Sequence, residues 1–133
     1  MLEVSAAIIT NGKEVLCFRK GLSKHDYLSF KFEFPGGKIE PNESPQEALV
    51  RELSEELVLH CQSSQLQPFH TLMHEYADFS VRIHYFFLYS ENPNYVLKEH
   101  TEAKWCSTDT IGTLDWADAD REAVTKLEAE GLE

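Results

Sequence analysis

Three glutamates, Glu52, Glu55 and Glu56, are the residues whose types and spacing most clearly indicate chemistry. On an α-helix, which turns by about 100° per residue, they fall within one arc of about 100°. Like charges this close repel one another, so a helix gains nothing by gathering them on its surface. Hard divalent cations prefer such oxygen ligands, and the oxygens of a polyphosphate need these cations during phosphoryl transfer. The alternative is an acidic face that is simply solvated.

The helix that would carry these acids has a clear start and a buried side. Ser44 suits the N-cap, Pro45 suits the first helical position, and Glu47 completes an S-x-x-E capping box. The apolar side chains occupy an adjacent arc and are Leu49, Val50, Leu53 and Leu57. A Gly-Gly-Lys turn at 36–38 precedes the helix, and its glycines allow backbone carbonyls to approach a cation closely. Together these features favour a metal site over a solvated face.

The stretch 37–59 resembles the Nudix box, G-x5-E-x7-R-E-U-x-E-E-x-G-U, in which U is a bulky aliphatic residue. Eight of the nine defined positions match over these 23 residues. The matching residues are Gly37, Glu43, Arg51, Glu52, Leu53, Glu55, Glu56 and Leu59. Val58 stands where the family has a glycine that usually ends the helix in a left-handed conformation, which a β-branched residue resists. We therefore expect the structure to differ from the family's at the end of this helix, if anywhere, and not at the carboxylates.

The resemblance implies a fold and a reaction. The fold is of the α/β class, a Nudix-type α/β/α sandwich with a mixed β-sheet, formed as a single domain by residues 1–133. The reaction is hydrolysis of a nucleoside diphosphate linked to a further group. The favoured substrate is a (deoxy)nucleoside triphosphate, oxidised or of the cytidine type, which gives a monophosphate and pyrophosphate. The cofactor would be Mg²⁺, with Mn²⁺ as the alternative ion.

The same resemblance implies roles for the acidic residues. The metal ligands would be Gly36, Gly37, Glu52, Glu55, Glu56 and Glu99. The catalytic set would be Glu52, Glu55, Glu99 and Arg51. Either Glu52 or Glu99 would orient or deprotonate the attacking water, and Arg51 would hold the carboxylates in place. MutT-like members place a functional glutamate six residues before a tryptophan; Glu99 has this offset from Trp105, and Glu102 is the competing candidate.

Residues 33–40, EFPGGKIE, resemble the MutT-like subgroup of the family closely. The phenylalanine before the glycines lines the base pocket in that subgroup, which implies this role for Phe34, although alternating phenylalanines are more often core. Lys38 would balance charge on the substrate phosphates. A basic residue near the end of the second strand also reaches the phosphates in the family. We favour Arg19 over Lys20 for this role, and ordinary surface charge is the alternative.

Residues 115–120, DWADAD, are similar to the stretch in which MutT-like relatives hold an Asn or Asp against the base edge. Asp120 falls at that position, and its carboxylate could accept hydrogen bonds from an exocyclic amino group. Asp120 could instead cap the last helix, or Asp118 could serve as the cap.

The remaining pattern predicts strands, turns and one further helix. Alternation and apolar runs predict strands at 4–10, 15–19, 30–34, 69–76 and 81–89, with a final strand carrying Trp105. Asn11-Gly12 predicts a hairpin turn between the first two strands. A helix should run from Asp118 or Asp120 to roughly Glu130. His70, His74 and His84 would lie on exposed strand faces rather than form a metal site.

Composition limits the partners. The chain has 133 residues with a net charge of -11, which argues against nucleic-acid polymers and anionic membranes as partners. The partner would instead be a small nucleotide. Cys17, Cys61 and Cys106 show no metal or disulfide spacing, which favours a cytoplasmic location. A monomer and a homodimer both remain open.

Two rival functions remain open. Within the enzyme class, the substrate could be a dinucleoside polyphosphate or a nucleotide sugar. Tyr76 lies 17 residues beyond Leu59, a spacing seen in some dinucleoside polyphosphate hydrolases of the family. Outside the enzyme class, the chain could be a non-catalytic nucleotide-sensing module, but such modules generally lose carboxylates of the box.

Overall fold

The computed structural model describes residues 1–132. Within them, one seven-stranded sheet and two α-helices form the fold, with short 3₁₀ turns in the connections. The elements are β1 (Leu2–Thr10), β2 (Glu14–Lys20), β3 (Phe32–Glu33), β4 (Gly36–Lys38), α1 (Pro45–Leu57), β5 (Leu66–Glu75), β6 (Ser80–Tyr89), β7 (His100–Ser107) and α2 (Asp118–Glu130).

The sheet is mixed because β1 pairs with β6 in parallel, whereas its other pairings are antiparallel. β1 and β2 pair only next to their hairpin turn, at Thr10 and Val15, and then separate. Beyond that point β4 pairs with β1, while β3 and β7 pair with β2. The chain therefore crosses from β2 to β1 at Pro35, whose carbonyl accepts a hydrogen bond from the Ala7 amide at 2.8 Å.

Each face of the sheet carries its own apolar core. On one face, Leu49, Leu53 and Leu57 of α1 are fully buried against the sheet. On the other, Ala123, Val124 and Leu127 of α2 are fully buried. This arrangement confirms the predicted α/β/α sandwich. Among residues 1–132, no helix is both long and apolar enough to cross a membrane.

Helix α1 begins as its sequence predicts and ends in an unusual way. Ser44 accepts a hydrogen bond from the Glu47 amide, and the Glu47 carboxylate accepts one from the Ser44 amide. Val58 ends the helix with φ 51° and ψ 32°, the left-handed conformation that the family glycine would supply. Its amide reaches the carbonyls of Leu53 and Ser54. The helix therefore ends in the same conformation as with the family glycine, although a β-branched residue such as valine adopts that conformation only at a cost in energy.

The start of α2 differs from the expectation that Asp118 or Asp120 provides the cap. The N-cap residue is Ala117, and its side chain makes no capping hydrogen bond. The Ala119 amide in the first turn instead donates to the Tyr76 hydroxyl at 3.0 Å. The cap thus comes from a residue 43 positions earlier in the chain.

The strand expected over residues 30–34 is shorter than predicted. Phe30 has φ 61° and is 46% exposed, so the chain bends there instead of extending. Its amide donates to the Gly21 carbonyl, and its ring lies beneath the Arg19 guanidinium. Only Phe32 and Phe34 of the three phenylalanines are buried.

Candidate functional site

The separation of β1 from β2 leaves a cavity of about 280 Å³ between the two helices. One side of it, which we call the acidic side, is lined by Gly36, Gly37, Lys38 and Glu56. The other, which we call the α2 side, is lined by Phe34, Tyr76, Ala119 and Asp120. The cavity therefore joins one acid of the box, Glu56, to the residues expected to contact a nucleobase.

Gly36 and Gly37 have neighbouring atoms so close that a side chain at either position would collide with them. A Cβ on Gly36 would lie 1.9 Å from the Ser5 carbonyl oxygen on β1. A Cβ on Gly37 would lie 2.2 Å from a carboxylate oxygen of Glu52. The absence of a side chain at Gly37 thus lets the Glu52 carboxylate rest on the backbone of β4.

Arg51 links most of the charged residues of the box. Its guanidinium donates to both oxygens of Glu43, at 2.8 and 2.9 Å, and to Glu52 at 2.7 Å. It also donates to the Lys38 carbonyl at 2.9 Å and to Glu55 at 3.3 Å. These contacts show how Arg51 can hold the carboxylates in place, as the resemblance implies.

Among the acids of the box, Glu56 has the pKa that is shifted furthest from its ordinary value. Burial raises the pKa of Glu56 to about 8, and the charges of Glu33, Glu52 and Glu99 add to the effect. Its Oε2 is buried and has no hydrogen-bond partner among the described residues. Burial also raises the pKa of Glu52, followed by the charges of Glu55 and Glu99, whereas Arg51 opposes the shift. A cation at this position would offset both the burial and the repulsion.

The acids fit a divalent cation in chemistry, although their arrangement is not that of a closed metal site. Across residues 1–132, no group of three or more His, Cys, Asp or Glu side chains is arranged to hold an ion. Glu52 and Glu55 each direct an oxygen to Arg51 instead, whereas Glu56 keeps one oxygen free. Each of these hydrogen bonds uses only one carboxylate oxygen, so the second oxygen of Glu52 and of Glu55 is not bonded to Arg51.

The position of Glu99 favours it over Glu102. Glu99 directly precedes β7, and its charge raises the pKa values of both Glu52 and Glu56. Glu102, which was expected in a loop, lies within β7 opposite Arg19 of β2. Of the two candidates, Glu99 is thus the one whose charge acts on the box acids.

Lys20, rather than Arg19, lines the cavity. The Arg19 guanidinium donates to the Phe30 carbonyl at 2.9 Å and lies 5.6 Å from the centre of that ring. A break in the β2–β7 register falls between these two basic residues. Successive side chains of a strand point to opposite faces, so the two adjacent basic residues do not share a direction.

On the α2 side, Asp120 is buried with hydrogen-bond donors around it. Its Oδ1 accepts from the Tyr85 hydroxyl at 2.6 Å, and its Oδ2 faces the Phe34 amide at 3.4 Å. Burial raises the pKa of Asp120 to about 7, and the charge of Glu33 adds to this, whereas Tyr85 opposes it. Phe34 itself packs against Trp116, with ring centres 4.7 Å apart. The structure therefore brings Phe34 and Asp120 together in one pocket wall.

Glu33 lies between the two sides of the cavity and was not singled out from the sequence. Its carboxylate pairs with His100 Nε2 at 2.9 Å and lies 3.9 Å from Lys20 Nζ. Its charge also raises the pKa values of Glu56 and Asp120. A single acid in a two-residue strand carries no sequence signal that would have identified it.

The other strand histidines pair with acids at the surface and do not meet. His70 contacts Glu130 at 3.0 Å, and His84 contacts Glu3 at 3.1 Å. Both side chains are partly exposed.

Comparison with known proteins agrees with this geometry. The family model for the NUDIX domain matches residues 1–127 of this chain. The 8-oxo-dGTP diphosphatase of Escherichia coli (strain K12) is 31% identical over 127 residues, which cover 95% of each chain. The CTP pyrophosphohydrolase of the same organism is 35% identical over 121 residues, or 90% of this chain and 86% of the relative. The solution structure of the E. coli ORF135 protein superposes with a TM-score of 0.78 at 30% identity and covers 100% of this chain and 95% of the other.

Proposed function

This chain belongs to the NUDIX family and is a MutT-like hydrolase, and we propose that it converts a (deoxy)nucleoside triphosphate to the monophosphate and pyrophosphate. The observation that carries this proposal is the shared cavity. Glu56 and the paired glycines line the same space as Phe34 and Asp120. One substrate can therefore place its phosphates next to Glu56 while its base reaches the α2 side.

The cofactor in this proposal is Mg²⁺, with Mn²⁺ as the alternative ion. The residues that would hold it are Gly36, Gly37, Glu52, Glu55, Glu56 and Glu99. When bound, the ion supplies positive charge to the phosphate oxygens and makes the attacking water more acidic. The unpartnered oxygen of Glu56 and its pKa, raised mainly by burial, support this assignment, because a bound cation would offset both.

The protein's own side chains position the reaction. Arg51 fixes Glu43 and Glu52 relative to the Lys38 carbonyl. Glu52 or Glu99 orients the water and takes its proton. Lys38 and Lys20, which both line the cavity, would bind the phosphate oxygens. The structure supports Lys20 in the role that the sequence assigned to Arg19.

The base would bind against the wall that Phe34 and Asp120 form together. Asp120 still has lone pairs to accept a hydrogen bond from an amino or imino group of the base. Guanine-type and cytosine-type bases both carry such donors. The relatives named as acting on 8-oxo-dGTP and on CTP make these two bases the first to test.

A nucleotide panel tests the proposal. The purified chain would be given 8-oxo-dGTP, dGTP, CTP and dCTP, together with a dinucleoside tetraphosphate and a nucleotide sugar, with Mg²⁺ or with EDTA. We expect pyrophosphate and a nucleoside monophosphate from at least one triphosphate, only with the cation. Turnover confined to the last two substrates, or unchanged by EDTA, would overturn the proposal. Cytoplasmic location, the domain boundary at residue 133 and the monomeric or dimeric state stay predictions.

A further inference from the structure

Tyr76 is the residue of the cavity wall that the proposed mechanism leaves without a role. It follows β5, and its amide donates to the Phe79 carbonyl at 2.7 Å, which closes the turn before β6. Its ring stacks against Tyr27 and Phe79, with ring centres 5.4 and 4.9 Å apart. The His74 ring packs edge-to-face with the Tyr76 ring, with ring centres 4.5 Å apart. These contacts fix the direction of the phenol.

The hydroxyl of Tyr76 is used as an acceptor by the start of α2. The first turn of a helix leaves backbone amides without partners, and a cap at the second or third amide normally comes from the N-cap side chain. Ala117 has no side-chain oxygen, and the Tyr76 hydroxyl accepts the Ala119 amide proton at 3.0 Å instead. Since Asp120 is the next residue, this hydrogen bond helps to position Asp120, together with its own contacts to Tyr85 and the Phe34 amide.

The proton of the same hydroxyl has no protein acceptor anywhere in residues 1–132. Burial raises the pKa of Tyr76 to about 12, and the nearby Asp120 charge contributes, so the hydroxyl keeps its proton at neutral pH. Tyr85 differs, because its hydroxyl already donates to Asp120 at 2.6 Å. The α2 side thus offers a free donor at Tyr76 next to an acceptor at Asp120.

A donor beside an acceptor is complementary to a base edge that carries a ring nitrogen or carbonyl next to an amino or imino group. We propose that Tyr76 determines base specificity: it positions Asp120 by capping α2, and its hydroxyl donates to the acceptor atom of the base edge that Asp120 contacts. The role of the Tyr76 hydroxyl as a donor to the base rests on the proposed function. The capping of α2 by Tyr76 is a property of the fold and can be tested without a substrate.

Tyr76→Phe removes the hydroxyl and keeps the ring, and Tyr27→Phe is the matched control. Tyr27 lies in the same aromatic cluster, but its hydroxyl bonds Asp78 rather than the helix. KM and kcat would be measured for the preferred triphosphate and for an analogue without the acceptor atom. The analogue is 3-deazacytidine triphosphate in place of CTP. For a guanine nucleotide it is the 6-thio derivative, whose sulfur accepts hydrogen bonds only weakly and which keeps the N1–H donor.

We expect Tyr76→Phe to raise KM for the preferred nucleotide by about 10-fold and to change kcat by less than about 2-fold. For the analogue, KM of the wild type should already be raised, and the substitution should raise it further by a clearly smaller factor, because only the capping role is then lost. An equal rise for both nucleotides, or no rise for either, would overturn the base-reading role. Tyr27→Phe should leave both KM values unchanged.

Hydrogen exchange of the Ala119 amide tests the capping role separately. We expect exchange to be faster by about 5-fold or more in Tyr76→Phe and unchanged in Tyr27→Phe, since loss of a cap destabilises the first turn. Unchanged exchange would overturn the capping role. If the wild type hydrolyses no nucleotide of the panel, the proposed function and the base-reading role both fail, while the exchange rate still decides whether Tyr76 caps α2.

Discussion

Arg51 holds Glu43 through two parallel hydrogen bonds, from Nε to Oε2 at 2.8 Å and from Nη2 to Oε1 at 2.9 Å. The hydrogen bonds from Arg51 lower the pKa of Glu43 to about 2, and the Glu40 amide contributes. Because the same guanidinium also binds Glu52 and the Lys38 carbonyl, it joins the start of the box to the acids of α1.

Replacing Arg51 with Lys tests whether this geometry, rather than charge alone, supports activity. A lysine keeps the positive charge but cannot form two parallel bonds with one carboxylate. We expect kcat/KM to fall by about 10- to 100-fold, as for other residues that orient metal ligands. The control is Arg82→Lys, because Arg82 pairs with Glu3 away from the cavity. An Arg51→Lys enzyme as active as that control would contradict the role of Arg51.

The buried Asp120 predicts a pH dependence of stability. Its pKa of about 7 in the folded state lies above the ordinary value of 3.8, so the folded protein holds this proton when the unfolded chain has released it. Stability from this group is therefore complete below about pH 4 and is lost as pH rises to about 7 and beyond. The full loss is about 4 kcal/mol, at 1.36 kcal/mol per pKa unit.

Urea unfolding in EDTA between pH 4 and 8 would measure this effect. Asp120→Asn should make the fall in unfolding free energy across that range smaller, and the remaining fall would come from Glu56, whose pKa is also raised. Asp118→Asn, an exposed change in the same helical turn, should leave the slope as in the wild type. Equal slopes in all three proteins would show that Asp120 is not the group responsible.

Lys20 and Arg19 provide a direct comparison of two adjacent basic residues. Because Lys20 lines the cavity and Arg19 bonds the Phe30 carbonyl, we expect Lys20→Met to raise KM about 10- to 100-fold. Arg19→Met should change KM by less than about 3-fold. Steady-state kinetics on the preferred nucleotide would decide, and the reverse order would restore the assignment made from the sequence.

Val58 predicts a gain in stability on substitution. A left-handed β-branched residue costs about 1–2 kcal/mol, whereas glycine adopts this conformation freely at some cost in chain entropy. Val58→Gly should therefore raise the free energy of unfolding by about 1 kcal/mol. The control is Val96→Gly, since Val96 is also exposed but has no positive φ. The account of Val58 fails if denaturation shows both variants equally destabilised.

The sandwich was expected from the resemblance to the Nudix family, whereas helix α1 and several strands were predicted from local patterns. The capping box, the leucine arc and the alternation in the strands each act over a few residues. Phe30 was misplaced because it continued the alternation of Phe32 and Phe34, while the contact of its ring with Arg19 depends on the tertiary fold.

The parts of the site that could not be predicted depend on contacts between distant residues. Arg19 and Lys20 are adjacent on β2, and which of them lines the cavity depends on distant contacts, such as that of Arg19 with the Phe30 carbonyl. The cap on Ala119 comes from Tyr76, so an analysis of residues near the helix start could only propose the aspartates. The pairing of Glu33 with His100 spans 67 positions and is equally invisible in the sequence.

The most direct test of the central claim is the Mg²⁺ dependence of pyrophosphate release by Glu56→Gln. Its matched control is Glu47→Gln, the same chemical change on the same helix, where glutamine can still complete the capping box. We expect Glu56→Gln to fold normally and to lose Mg²⁺-dependent turnover by at least about 100-fold, while Glu47→Gln keeps it. Near-normal turnover by a folded Glu56→Gln enzyme would contradict the proposal that this buried acid helps to hold the catalytic cation.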